Sequence, residues 1–96
     1  MSDLKFEWDD NKNWSNQKKH GISFEEARTV FTDEFGRLIP DPDHSNDEDR
    51  FILMGMSSRF RLLLVCHCER TADMIRIISA RKAEKHERKQ YEEYHA

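Results

Sequence analysis

The sequence has few of the features that mark a membrane, secreted or disulfide-stabilised protein. No apolar run approaches the roughly 18 residues of a membrane-spanning helix, and no basic-then-apolar leader opens the chain. Only two cysteines occur in 96 residues, which is no basis for a disulfide framework. That length also excludes a two-domain enzyme. We therefore expect a single domain over residues 1–96, cytoplasmic and without a membrane partner.

Established catalytic and cofactor motifs are absent as well. There is no phosphate-binding glycine loop and no Ser-His-Asp arrangement. Cys66, His67 and Cys68 resemble part of a metal site, but on a strand His67 points to the opposite face from both thiols. No second pair completes four ligands. We predict buried free thiols and no metal or other cofactor, with zinc as the less favoured alternative.

The net charge of -3 conceals an uneven distribution. Residues 1–49 carry 6 basic and 13 acidic side chains, whereas residues 50–91 carry 10 basic and 4 acidic ones. Such asymmetry indicates a basic surface for a polyanion. The alternative is that the two halves of one small fold are simply solvated differently.

The first part of the chain predicts a strand and a helix. Alternating apolar and charged residues indicate a half-buried strand over Leu4–Asp9. A short helix capped by Asp9 or Asp10 then runs through Lys19 or His20. The glycine that follows favours a left-handed end to this helix.

A second helix and a short strand are predicted next. Ser23 and Glu26 form a capping box, and the helix reaches about Phe31–Asp33. Arg37–Ile39 predicts a short strand, which the following prolines stop. The acidic segment 41–49 predicts a solvated, mobile loop.

The remainder predicts an antiparallel meander and a terminal helix. A tight hairpin at Ser58–Arg59 and a looser one at Glu69–Asp73 separate strands of suitable length. A helix runs from Arg81 to about His95. The fold class is thus α+β, with an N-terminal strand, two short helices, about four meander strands in one antiparallel sheet, and a C-terminal helix. The three later strands are Phe51–Ser57, Arg61–Cys68 and Met74–Ala80.

Arginines are concentrated on the predicted sheet. Simple pairing places Arg61 opposite Arg81, and adjacent guanidinium groups repel unless an anion lies between them. Guanidinium groups bind phosphate through two hydrogen bonds and remain charged. The alternative is that Arg61 pairs with a surface carboxylate of Glu69, Glu84 or Glu87. The five arginines are Arg50, Arg59, Arg61, Arg76 and Arg81.

Groups for proton transfer are also present. His20 follows Lys19 at the end of the first helix, and histidine can act as a general acid or base near neutral pH. Glu87 can accept a proton or orient an arginine. The structural alternative for His20 is a cation that stabilises the C-terminus of the helix. For Glu87 it is an exposed carboxylate on the terminal helix. These groups suit RNA, because the ribose 2′-hydroxyl is an internal nucleophile and cleavage needs only a base, an acid and cations.

Two long blocks of the sequence resemble one known family. Residues 19–27 read Lys-His-Gly-Ile-Ser-Phe-Glu-Glu-Ala, and residues 76–83 read Arg-Ile-Ile-Ser-Ala-Arg-Lys-Ala. With Phe-Glu-Trp-Asp at 6–9, they are similar to the BrnT toxins of bacterial type II toxin–antitoxin systems. The resemblance implies a RelE-like ribonuclease that cuts mRNA and inhibits translation. It also implies a BrnA-like antitoxin with a DNA-binding part, in a toxin–antitoxin hetero-oligomer that represses its own operon. Apart from the resemblance, the low apolar content of so short a chain predicts that a partner or a second copy in a homodimer covers part of the sheet or helices.

The resemblance also implies roles for individual residues. His20 or Glu87 would transfer protons, and Arg81 and Arg50, helped by Lys19, would hold the scissile phosphate. Tyr91 would stack on a base or pack on the sheet. Where the family has a Tyr-Thr-like pair, this chain has His-Cys at 67–68. A catalytically degenerate domain that binds RNA or a partner, and acts only in a repressor complex, is the alternative function. The residues expected to bind RNA are Arg59, Arg61, Arg76, Ser79 and Tyr91.

Overall fold

The computed structural model describes residues 4–40 and 50–94. The five strands in these ranges form one sheet in the order β1-β5-β4-β3-β2. This architecture confirms the predicted α+β class and its order of elements. The predicted loop 41–49 and the predicted end of the terminal helix at about His95 lie outside the described residues. The elements are β1 (Lys5–Glu7), α1 (Asp10–His20), α2 (Phe24–Ala27) with a 3-10 helix (Arg28–Thr32), β2 (Arg37–Pro40), β3 (Arg50–Met56), β4 (Leu62–Thr71), β5 (Met74–Lys82) and α3 (Lys85–Tyr94).

Local caps set the bounds of α1 as predicted. The side chain of Asp9 accepts a hydrogen bond from the Lys12 N–H at 3.0 Å. Gly21 has a φ of 72° and donates its N–H to the Gln17 carbonyl at 2.8 Å. A left-handed residue at this position favours glycine because it has no Cβ.

The second helix reaches Thr32 but changes geometry on the way. Ser23 caps it as predicted, by accepting the Glu26 N–H at 3.0 Å. After Ala27 the α-helix tightens to a 3-10 helix. The Thr29 hydroxyl donates to the Glu26 carbonyl at 2.6 Å, and such local bonds compete with the α-helical pattern. The continuous helix predicted from the apolar spacing was therefore wrong in type beyond Ala27.

The first strand is shorter than predicted and parallel to its neighbour. It covers Lys5–Glu7, and Phe6 pairs with Ile75 of β5 in a parallel register. The sheet is therefore mixed, and the expectation of a wholly antiparallel sheet was wrong for this strand. β1 and β2 are the two outer strands of this sheet, so the helices between them carry the chain from one edge of the sheet to the other.

The register of β4 and β5 differs from the simple pairing. Thr71 pairs with Met74, so the turn is tighter than the loose hairpin predicted at Glu69–Asp73. Arg81 consequently lies opposite Leu64, and the predicted Arg61–Arg81 pair does not form. Because β5 continues to Lys82, the terminal helix begins at Lys85 and not at Arg81.

The β3–β4 hairpin is wider than the two-residue turn predicted at Ser58–Arg59. Ser57 donates its N–H to the Arg61 carbonyl at 2.8 Å, which encloses three residues. The third is Phe60, with a φ of 61°. Three-residue hairpins need a left-handed residue at this position, usually glycine, and another residue there costs about 1–2 kcal/mol.

The two faces of the sheet are covered unequally. On one face α1, α2 and the 3-10 helix bury the larger core. On the other, Tyr91 of α3 packs with Met54, Leu62 and Leu64, and Ile52 is only partly buried. Close packing on the first face fixes Gly55, because a Cβ there would lie 2.7 Å from Val30 Cγ1. The larger core comprises Ile22, Phe24, Ala27, Val30, Leu63, Val65, Ile75, Ile77 and Ala80.

The cysteine region matches most of its prediction. Neither cysteine forms a disulfide within the described residues, and Cys68 is buried while Cys66 is half-buried. His67 is buried at 2% exposure, and its ring centroid lies 4.8 Å from that of Phe31 in the larger core. Burial lowers the pKa of His67. His67 thus serves in packing and faces away from the thiols.

A buried asparagine joins α1 to the edge of the sheet. Beyond the short β1, none of the described strands pairs with the β5 backbone at Ala80 on that side. Asn16 takes the place of such a strand by donating to the Ala80 carbonyl at 2.9 Å and accepting the Ala80 N–H at 3.1 Å. The last turn of α1 therefore lies along this edge of β5.

Among the described residues, no helix is both long and apolar enough to cross a membrane.

Candidate functional site

Two arginines are aligned across the sheet on the face that α3 partly covers. Cys68 pairs with Arg50 of β3 on one side and with Arg76 of β5 on the other. Directly paired residues project to the same face, and neighbouring strands lie about 4.8 Å apart. The backbones of the two arginines are thus separated by about 10 Å.

Two further predicted residues share this face. Ser79 pairs with Cys66, and Arg81 pairs with Leu64. Since alternate residues of β4 project to one side, both belong to the same face as Arg76. Ser79 is exposed. We call the surface formed by Arg50, Arg76, Ser79 and Arg81 the arginine face.

A carboxylate holds Arg76 at the border of the arginine face. The Arg76 guanidinium donates to Glu7 Oε2 at 3.0 Å, and Arg70 donates to the same oxygen at 3.0 Å. One carboxylate therefore serves two guanidinium groups, which leaves an excess of positive charge at this edge.

Arg81 is fixed by a two-bond ion pair with α3. Its Nη1 and Nη2 donate to the two carboxylate oxygens of Glu87, each at 2.9 Å. Glu87 also accepts the Glu84 N–H at 2.8 Å. The hydrogen bond from Arg81 lowers the pKa of Glu87. Of the two sequence-based alternatives, this geometry favours orientation of Arg81 over proton acceptance by Glu87.

The accessibility of this pair is uneven. The Arg81 side chain is 39% exposed, and that of Glu87 is 15% exposed. The carboxylate is thus mostly covered, while more than a third of the Arg81 side chain is exposed. Arg81 Nη1 also donates to the Lys82 carbonyl at 3.2 Å.

Tyr91 packs rather than presenting its ring. It is 5% exposed, and its hydroxyl donates to Asp33 Oδ2 at 2.6 Å. The Met56 N–H donates to the same oxygen at 2.7 Å. Burial and Asp33 together raise the pKa of Tyr91 to about 12. Of the two expectations for Tyr91, the contacts favour packing on the sheet, and they anchor α3 to β3 and to the end of the 3-10 helix.

Arg61 lies in a separate cluster, the Glu26 corner, formed by Glu26, Ser57 and Arg61. Arg61 Nε donates to Glu26 Oε2 at 2.9 Å, and Arg61 Nη2 donates to Glu26 Oε1. The Ser57 hydroxyl donates to Glu26 Oε2 at 2.7 Å. The hydrogen bond from Arg61 lowers the pKa of Glu26 despite its burial. None of the carboxylates predicted as partners of Arg61 binds it.

The last turn of α1 lies between the two clusters. Arg61 Nη2 donates to the Gly21 carbonyl at 3.4 Å, directly after Lys19 and His20. One turn earlier, Asn16 binds the backbone of Ala80, the residue before Arg81. Within the described residues, no hydrogen bond or ion pair joins Lys19 or His20 to Arg81. The fold thus brings this turn to the edge of the arginine face without a direct contact.

Sequence reasoning missed three residues that organise these clusters. Glu26 was explained as a capping residue, yet its carboxylate binds Arg61 and Ser57. Glu7 was assigned only to a strand, although its alternation with Phe6 placed it on the opposite face. Asp33 marked a helix end, and nothing in its local sequence indicated the contact with Tyr91. In residues 4–40 and 50–94, no group of three or more His, Cys, Asp or Glu side chains is placed to hold a metal ion.

Comparison with known proteins identifies relatives of the chain. A family described as "Ribonuclease toxin, BrnT, of type II toxin-antitoxin system" matches residues 8–87. The crystal structure of the Brucella abortus ribonuclease toxin BrnT is similar, with a TM-score of 0.67 and 21% sequence identity. The match covers 85% of this chain and 99% of that one, and at this identity it shows a shared fold. No curated protein matches the sequence.

Proposed function

Because the chain belongs to the BrnT family of ribonuclease toxins of type II toxin–antitoxin systems, we propose that it is a metal-independent endoribonuclease that cuts mRNA and so inhibits translation. The proposal takes residues 1–96 as one toxin domain that acts in the cytoplasm. It requires no cofactor.

One observation carries this proposal: Arg81 is held rigidly by Glu87 on a face that also carries Arg50 and Arg76. Guanidinium groups bind phosphate oxygens with directed, charge-assisted hydrogen bonds. Cleavage of RNA adds negative charge to the phosphate in the transition state, and fixed cations stabilise that charge without reorganisation. Arg81 and Arg50 would hold the scissile phosphate, with Arg76 beside them.

Proton transfer completes the proposed reaction. The 2′-hydroxyl oxygen attacks the adjacent phosphorus, the bond to the 5′-oxygen breaks, one proton leaves the nucleophile and one reaches the leaving group. We assign a proton-transfer role to His20, since the Glu87 carboxylate already accepts hydrogen bonds from Arg81 and Glu84. Lys19 adds positive charge at the same edge.

An antitoxin partner follows from the type of system. We propose a BrnA-like antitoxin with a DNA-binding part, in a hetero-oligomer that represses its own operon. β2 is an outer strand of the sheet, and Leu38 on it is 53% exposed. An exposed apolar residue on an edge strand suits a protein contact, and pairing of two toxin copies there is the alternative.

The test is cleavage of a long mRNA by the purified chain in EDTA. We expect cleavage by the parent and a rate at least about 100-fold lower for Arg81→Ala, as for loss of one fixed transition-state donor. Arg81→Lys keeps the charge but loses the two-bond geometry, so we expect it to remain impaired. Arg28→Ala is the matched control, because Arg28 is an exposed arginine of the 3-10 helix.

The outcomes separate the two functions. Full cleavage by Arg81→Ala would contradict the proposed phosphate site, and cleavage only with added divalent metal would contradict metal independence. No cleavage by the parent, on free or ribosome-bound mRNA, would favour the catalytically degenerate repressor component. The observation in favour of that second function is that, within the described residues, no hydrogen bond or ion pair joins His20 to Arg81, so the proposed proton-transfer group is not in contact with the proposed phosphate site.

A further inference from the structure

The β3–β4 hairpin ends in a residue whose position neither packing nor backbone preference explains. Phe60 is 88% exposed, so its ring buries almost no surface. Its φ of 61° is a conformation that glycine adopts freely and phenylalanine disfavours. Backbone outliers of this kind cluster at functional sites. The combination of strain and exposure indicates a role for the ring outside the folded chain.

Hydrogen bonds hold the hairpin tip in one conformation. The Ser57 hydroxyl oxygen accepts the N–H groups of Arg59 at 3.2 Å and Arg61 at 3.3 Å. Phe60 donates its N–H to the Ser57 carbonyl at 2.9 Å, and Ser58 donates its own to Thr29 Oγ1 at 2.9 Å. The ring is therefore presented on an ordered support, which lowers the entropic cost of binding.

The charge beside the ring suits a polyanion. Arg59 precedes Phe60 and is exposed, whereas Arg61 on the other side is bound to Glu26. The tip thus carries an exposed aromatic ring and, on the preceding residue, an exposed guanidinium-bearing side chain. Sites for single-stranded nucleic acid combine these two elements, since bases stack on aromatic rings and cations follow the backbone.

The tip is connected to the arginine face through β4. Phe60 precedes Leu64 by four positions, and Leu64 is the register partner of Arg81. At about 3.3 Å per residue, these four positions correspond to about 13 Å along the chain. The contacts of the tip with Thr29 and Glu26 lie on the side of the sheet that α2 covers, so a strand bound at Arg81 has to extend past the end of β4 to reach the ring.

We propose that Phe60 and Arg59 form a binding site for single-stranded RNA, in which an unpaired base stacks on Phe60 and Arg59 binds the adjacent phosphate. This inference rests on the proposed ribonuclease function, to which it adds the selection of unpaired over duplex RNA. A base within a duplex is already stacked on both sides, so it cannot offer its face to the ring.

The test measures binding apart from cleavage. The probe is a fluorescent single-stranded oligonucleotide with 2′-O-methyl groups, which removes the internal nucleophile. By fluorescence anisotropy, we expect Phe60→Gly to bind roughly 5- to 100-fold more weakly than the parent. Because glycine adopts this φ without steric strain, we expect the variant to stay folded and its reduced binding to come from loss of the ring. Phe35→Ala is the matched control, since Phe35 is another exposed phenylalanine, at 44%, and should bind like the parent.

Further probes identify which part of the RNA contacts each residue. On an abasic strand, we expect the parent to lose its advantage over Phe60→Gly. Arg59→Ala should make the plot of log affinity against log salt concentration less steep, by about the amount that one phosphate contact contributes to its slope. Phe60→Trp should restore affinity, and its fluorescence should be quenched on binding, as stacking requires.

Two results would overturn the inference. One is equal affinity of the parent and Phe60→Gly for single-stranded RNA. A substitution that weakens antitoxin binding but leaves RNA affinity unchanged falls under this result. The other is an unchanged difference between them on the abasic strand. Cleavage of unmodified mRNA is scored separately. If the parent cleaves but Phe60 is dispensable for binding, only the hairpin site fails. If Phe60→Gly weakens binding but the parent does not cleave, the hairpin site stands and the ribonuclease function fails.

Discussion

Two of the arginine–carboxylate pairs in the described residues join both carboxylate oxygens to the guanidinium group, and they lie in different surroundings. Arg61 binds Glu26 in the Glu26 corner, where the carboxylate side chain is 5% exposed and the arginine 29% exposed. Arg81 binds Glu87 at the arginine face, where the corresponding values are 15% and 39%. In the corner, Glu26 also accepts a hydrogen bond from the Ser57 hydroxyl, whereas within the described residues Glu87 accepts, besides Arg81, the backbone N–H of Glu84.

The difference shows that surroundings, not the pair itself, decide what an arginine can do. In the corner, the guanidinium links α2 to the β3–β4 hairpin and to the Gly21 carbonyl, so its donors serve the fold. At the arginine face, Glu87 orients a guanidinium group on a more exposed side chain. We therefore expect the pair to be structural in the corner and to serve the proposed phosphate binding at the arginine face.

The largest expected contrast is in stability. Glu26→Ala leaves the Arg61 guanidinium and the Ser57 hydroxyl without their acceptor, and we expect it to lower the free energy of unfolding by about 2–4 kcal/mol. Arg81→Ala should lower it by about 1 kcal/mol or less, because the pair is more exposed. Urea unfolding followed by circular dichroism measures both values, with Glu34→Ala as an exposed control. Equal losses for the two variants would remove the distinction between the regions.

An intermediate effect concerns the anchor of α3. Tyr91→Phe removes the hydrogen bond to Asp33, whose carboxylate keeps the N–H groups of Met56 and Phe35. We expect a loss of about 1–2 kcal/mol, with a smaller effect on RNA cleavage than that of Arg81→Ala. Urea unfolding and the mRNA assay together provide the measurement. A loss of cleavage as large as for Arg81→Ala would show that Tyr91 acts at the site and not only in packing.

The smallest contrast is in pH dependence. Arginine hydrogen bonds lower the pKa of both Glu26 and Glu87, so each carboxylate stabilises the fold above its ordinary pKa of 4.5. That stability is lost as the pH falls through the lower folded values. We expect Glu26→Gln and Glu87→Gln each to flatten the acid side of the stability curve, measured by urea unfolding from about pH 3 to about pH 7. An unchanged acid limb in both variants would contradict this assignment.

The alkaline limb provides an internal check on the same measurement. The pKa of Tyr91 is raised to about 12. The protonated hydroxyl therefore contributes fully to the free energy of unfolding below the ordinary pKa of 10.0. This contribution is lost as the pH rises from there towards about 12. Tyr91→Phe should therefore change the alkaline limb and leave the acid limb as in the parent.

Much of the fold was predictable because its signals are local. The caps at Asp9, Gly21 and Ser23 depend on residues within a few positions, and the apolar strands have distinctive composition. The candidate site was predictable in part: Arg50, Arg76, Ser79 and Arg81 were named from the sequence, and the structure brings them to one face.

By itself, the sequence determined the caps, the order of helices and strands, and the supply of arginines on the meander. Only the tertiary structure decided which arginine meets which carboxylate, as Arg61 and Glu26 lie 35 positions apart. The reason is that strand register depends on the exact turn, and a small change in a turn changes which residues lie opposite each other. The tight turn before Met74 placed Arg81 beside α3 and left Arg61 to the Glu26 corner.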